Sequence, residues 1–137
     1  MKTSSKVVLL SFAVWTVFVW GNRISNTLRS TTDSSTTKVV STVLSVVMCA
    51  LALAVVWALV RAWRSDVGAA QVPVLLTAAI VTIVVWLVRV PQILLADHTT
   101  PFKVVHALLG VVSLVLALLV LRIAGFARLR LAGAARG

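Results

Sequence analysis

Of 137 residues, 61% are hydrophobic and only 12% charged, with a mean hydropathy of +1.09, whereas about 25% of a water-soluble domain is charged. Thirteen Lys and Arg against three Asp and no Glu give a net charge of +10. This composition argues against a soluble domain. It also argues against nucleic-acid binding, because the basic residues fall between apolar runs and no polar scaffold carries them. An integral membrane protein is expected, with its charge confined to loops and ends. A single cysteine, Cys49, lies inside an apolar run, so no intrachain disulfide can form and the residue reads as a packing group.

The first apolar segment follows Lys2 and Lys6, as a secretory leader does, but it runs into Trp20, Gly21, Asn22 and Arg23 where small cleavage-site residues belong. We therefore read a retained span over about 6–28. Trp20, Ile24 and Leu28 continue the helical stripe past the hydrocarbon, and Arg23 reaches for the interface. Ser30 to Lys38 is a hydroxyl-rich solvated loop that supplies a cap for the second span, 39–61. In that span Ser41, Ser45 and Cys49 form a strip of small side chains on which a neighbouring helix can approach closely.

The third span, 72–95, opens with Pro73 in its first turn and contains Arg89, Pro91 and Gln92. Pro91 is expected to end or kink the helix, since it cannot donate to the carbonyl four residues earlier. The fourth span, 101–122, takes Thr100 as cap and Pro101 as its first residue. It carries His106, Gly110, Ser113 and Ala117 on one small and polar face. Residues 123–137 form a basic tail with Arg128, Arg130 and Arg136, suited to lie on anionic lipid headgroups. No internal repeat is evident, because the polar residues of the two helix pairs do not correspond.

The fold class expected is all-α: a four-helix transmembrane bundle forming one domain. Lys2, Lys6, Arg61, Arg64, Arg122, Arg128, Arg130 and Arg136 fall at one end and Arg23, Arg29, Lys38, Arg89 and Lys103 at the other, which places both termini in the cytoplasm. The Ala, Val, Leu and Arg bias resembles that of proteins from GC-rich bacteria, so a bacterial plasma membrane is the expected location. Four of the five tryptophans lie near span ends, where their rings favour the headgroup layer; Trp15 is expected to pack inside.

Antiparallel spans bring Arg23, Arg89, Gln92, Asp97 and His106 to similar depth at one face. Arg89 within an apolar segment needs water, a partner or an exit to the interface, and Asp97 is the nearest acid. This cluster is a candidate anion or headgroup site. His106 is expected to be neutral and bonded to a carbonyl or serine. Two His and one Asp at irregular spacing fall short of a metal set, no cofactor is implied, and no paired carboxylates, nucleophile elbow or phosphate loop argue for an enzyme. The leading functional expectation is a structural or accessory subunit that associates with another membrane protein or with itself. The alternatives are a homo-oligomeric transporter or channel favouring anions, and a headgroup-binding module.

Overall fold

The computed structural model describes all 137 residues as four helices, α1 (Thr3–Arg29), α2 (Ser35–Arg61), α3 (Gln71–Leu95) and α4 (Thr100–Ala134). Each is long and apolar enough to cross a membrane. The helix ends show where backbone amides find partners. Ser34 caps α2 by accepting from the Thr37 amide at 3.2 Å, so α2 begins four residues before its apolar run. The cap of α4 is Thr99 rather than Thr100, and it makes no side-chain capping bond. Pro91 does not end α3, which continues to Leu95. The one lost amide donor is tolerated because the rest of the turn is intact.

Buried residues on each helix recur at alternating intervals of three and four. On α2 they are Ser41, Ser45, Met48, Ala52, Val55, Leu59 and Ala62, with Ala58 beside the seam; on α3, Val72, Leu75, Ala79, Thr82 and Trp86, with Ala78 beside it; on α4, Gly110, Ser113, Ala117, Val120, Ala124 and Ala127. A repeat of 3.5 residues keeps one seam facing the neighbouring helices and is the geometry of left-handed bundles. With little hydrophobic drive between helices in lipid, small side chains on the seam let backbones approach closely. The strip Ser41, Ser45 is thereby packed inside the bundle, as are Gly110, Ser113 and Ala117, while Cys49 is half-buried beside Met48, Trp20 and Trp86.

The bundle is two tight hairpins, α1 with α2 and α3 with α4. Contacts of α1 with α4 and of α2 with α3 are sparser, and the diagonal pairs do not approach at the backbone. Only large side chains meet across the middle, with Trp20 and Trp86 ring centres 6.1 Å apart. These two indoles are thus buried in the bundle instead of lying in the headgroup layer, because both fall on inward seams. Trp15 is half-buried and donates from Nε1 to the Ser113 hydroxyl at 2.9 Å, joining the hairpins.

The two hairpins match in register. The offset that carries Trp20 onto Trp86 also carries Val8, Leu9 and Leu10 onto Val74, Leu75 and Leu76. After one residue lost in the second connection, Lys38, Val39 and Val40 fall on Lys103, Val104 and Val105, and Leu51, Ala52 and Leu53 on Leu116, Ala117 and Leu118. Of the buried positions of α2 from Ser45 to Ala62, all but Ala58 then have a buried counterpart on α4, Gly110 to Ala127. This overturns the expectation that no repeat exists. The polar residues diverge between the hairpins, and they conceal a correspondence carried by the apolar seam.

Helix α4 is unbroken through Gly125 to Ala134, so no kink separates the fourth span from the basic tail. Ala124 and Ala127 remain in the main core. Beyond them Arg130 donates to the Val67 carbonyl at 2.9 Å and pairs with Asp66. Asp66 also receives the Met1 ammonium at 2.9 Å. Both chain ends and the 62–70 connection therefore lie at one end of the bundle, and the 30–34 and 96–99 connections at the other.

Candidate functional site

Arg23 and Arg89 occupy inward positions. On α1 the seam runs Leu9, Ala13, Thr16, Trp20, and its next steps are Arg23 and Thr27; on α3 Arg89 follows Trp86 by the same step. Both arginines are half-buried and lie within coulombic reach of each other. Neither has an ion-pair partner: the bundle's two ion pairs both involve Asp66, at the opposite end. Arg23 Nε is buried without any hydrogen-bond acceptor, and so are Trp86 Nε1 and the Thr82 hydroxyl. Thr82, Trp86 and Arg89 share the α3 seam, so an unsatisfied polar column runs down the interior. In a bilayer such groups carry a cost of at least ~1–3 kcal/mol each.

A cleft of about 480 Å³ opens beside this column, between the end of α1 and the start of α4. Asn22, Arg23, Asn26, Asp33 and His106 supply its polar wall and Phe18, Val19 and Leu109 part of its apolar wall. Asn22 is tied down by donating to the Phe18 carbonyl at 2.7 Å. His106 Nδ1 lies 2.8 Å from the Phe102 carbonyl. The carbonyl can only accept, so Nδ1 carries the hydrogen and Nε2 is left as an acceptor in the neutral ring. The Phe102 ring stacks on His106 with centroids 3.9 Å apart and holds its plane.

The structure brings Arg23 and His106 together in one cleft and sets Arg89 close behind Arg23. It does not bring in Gln92 or Asp97, both of which are exposed. Asp97 makes no ion pair with Arg89: α3 continues past Pro91 to Leu95, six residues that at ~1.5 Å rise carry the chain about 9 Å along the axis before the turn that holds Asp97. Sequence reasoning missed Asp33, a lone acid in a hydroxyl-rich loop, which lines the mouth. It also missed Thr82 and Trp86. Their seam periodicity with Arg89 was the available signal.

The packing residues act inside the bundle. Ser41 and Thr27 hydroxyls lie 3.2 Å apart between α2 and α1. Ser45 donates back to the Ser41 carbonyl at 2.7 Å, and Ser113 to the Leu109 carbonyl at 2.7 Å. A second cleft, of about 440 Å³, lies at the other end of the α1–α4 seam and is lined by Lys2, Asp66, Arg122, Phe126 and Arg130 among others.

No protein-family model matches this chain. No curated protein and no solved structure shows significant similarity to it.

Proposed function

We propose that this chain is a non-enzymatic multi-pass protein of the bacterial plasma membrane, with both termini cytoplasmic, that binds an anionic group in the cleft between α1 and α4. The group is a lipid headgroup phosphate or a small inorganic anion. The observation that carries this reading is the inward Arg23, its Nε unsatisfied and Arg89 nearby, while the one carboxylate within reach, Asp33 at the cleft mouth, forms no ion pair with it. An intramembrane arginine facing the bundle rather than the lipid is the usual form of a polar binding position. The side-chain amides of Asn22 and Asn26 supply further donors, whereas the acceptor Nε2 of a neutral His106 and the Asp33 carboxylate at the mouth favour an anion of low charge.

The accessory-subunit reading draws less support from the packing than from the residue pattern. It rested on small-residue faces of the second and fourth helices, minimal loops and the lack of catalytic motifs, and the small-residue faces are filled by the chain's own helices. Transport by a single copy also lacks support, because Leu9, Phe12, Val55, Leu75 and Val120 close the interior at the other half of the bundle. Transport would need copies combined around the same arginines.

Binding is tested by thermal unfolding of the detergent-solubilised full chain with inorganic phosphate or short-chain phosphatidylglycerol. Anion at 100 times its dissociation constant stabilises by about 2.7 kcal/mol. The expected result is a concentration-dependent rise in Tm that Arg23→Gln abolishes. No rise with either probe defeats the reading.

A further inference from the structure

The two arginines are not merely neighbours. The offset that carries Trp20 onto Trp86 carries Arg23 onto Arg89, so each hairpin contributes the same Trp-x-x-Arg step at the same seam position. Helices α1 and α3 run in the same direction on opposite corners of the bundle. A two-fold operation about the bundle axis exchanges the hairpins, with the Trp20–Trp86 pair meeting across that axis at 6.1 Å. Parallel repeats related by an axis along the membrane normal are a recurring plan for membrane proteins that bind a ligand at the repeat interface.

We infer that Arg23 and Arg89 are the two jaws of one clamp that holds a single compact oxyanion, a phosphate-type group, on this axis above the Trp20–Trp86 floor. The inference rests on the anion-binding reading and adds the second jaw, the stoichiometry and the ligand class. Two guanidinium groups within coulombic reach repel each other, and Asp33 at the cleft mouth offsets that only from a distance, without an ion pair to either. A bound anion converts that repulsion into two attractions. Each guanidinium presents a planar fork of N–H donors that matches a pair of oxygens, so two forks ask for an anion with several oxygens in preference to a halide. The orphaned Nε of Arg23 and the indole N–H of Trp86 are donors of the same sign, which extends the preference.

The repeat also explains how the clamp is reached. The α1–α4 seam carries Asn22, Asn26 and His106, whereas the equivalent α3–α2 seam carries Val88, Gln92 and Ser41. Ser41 is buried in its contact with Thr27, and Gln92 is exposed. The two equivalent interfaces have therefore diverged: one carries Arg23 in a polar cleft, and at the other the counterpart of His106 is the buried Ser41. Entry is one-sided, through the cleft at the Asn22 and His106 wall.

Calorimetric titration of the full chain in a zwitterionic detergent tests the clamp, with inorganic phosphate, sulfate, chloride and short-chain phosphatidylglycerol as separate probes. Expected are one oxyanion per chain, chloride much weaker, and losses of similar size, at least about tenfold, from Arg23→Gln and from Arg89→Gln. The double variant should lose little more than either single one. Arg23→Lys and Arg89→Lys keep the charge and remove the fork, and each should retain weakened binding; their melting curves verify folding. Binding of phosphatidylglycerol alone supports the clamp with a headgroup as its occupant, and binding of inorganic phosphate as well supports it with the free ion. If Arg89→Gln binds like the unaltered chain while Arg23→Gln does not, the clamp is overturned and the single-arginine site stands. Chloride binding as tightly as phosphate overturns the oxyanion class. No binding by any probe removes both readings.

Discussion

At Gly110 a side chain would begin with a Cβ 2.5 Å from Cγ2 of Val90 and 3.0 Å from Cε3 of Trp86. Val90 is β-branched with a stiff χ1, and Trp86 is wedged against Trp20, so neither neighbour yields easily. Gly110→Ala should destabilise the bundle by roughly 1–3 kcal/mol, measured as a lower unfolding midpoint in denaturing detergent. The small and polar face holding Gly110 was legible in the sequence from the spacing of His106, Gly110, Ser113 and Ala117. The equivalence of Arg23 with Arg89 was not, because their neighbours on either side differ in polarity and only the buried seams align. Asp97 was the opposite case, close to Arg89 in sequence and carried away from it by a helix that does not stop at proline.

At the scale of elements, α4 spans 35 residues, about 52 Å at ~1.5 Å per residue, against a hydrocarbon layer of roughly 30 Å. Its far turns are held by Arg130 on Asp66 and the Val67 carbonyl. The Asp66 carboxyl is held below its ordinary value of 3.8, chiefly by the hydrogen bond from the Met1 ammonium and next by the charge of Arg130. A carboxylate depressed by folding contributes stability that is present above its unfolded pKa and is lost as pH falls through the folded one. The end of α4 should therefore resist proteolysis at neutral pH and loosen only as pH drops below about 4. Limited proteolysis across that range checks this, and Asp66→Asn should cut at similar rates throughout. The four spans and most of their ends were readable from apolar runs and caps. The continuation of α4 was hidden because Arg122 and Gly125 resemble a stop, while Ala124 and Ala127, which keep the seam going, are inconspicuous in an alanine-rich stretch.

For the whole molecule, the helix order puts the 30–34 connection at one end and the 62–70 connection with both termini at the other. The basic residues divide unequally between those ends, which is the basis for a cytoplasmic location of the termini. In a Cys49→Ser background, Thr32→Cys should react with a membrane-impermeant maleimide in intact cells. Ser65→Cys should react only after the membrane is opened, and the reverse pattern inverts the orientation. The bundle class was readable at the outset, since composition alone rules out a soluble core. Its division into matched hairpins needed the buried positions, because lipid-facing and inward-facing valines and leucines look alike in a sequence.

The reach of Arg130 back to Asp66 and Val67 has a bearing on biogenesis. The tight contacts of each hairpin are internal, so the first pair has its main partners in hand as soon as its second helix is made. The second pair must then dock sideways against it through sparse contacts and the Trp15–Ser113 bond. Arg130 is made after the seam of the second pair, and its partners sit on the connection made when the first pair was finished. The far turns of α4 thus fasten onto the connection that joins the two halves, and a chain cut before Arg130 would hold two docked hairpins without their clasp.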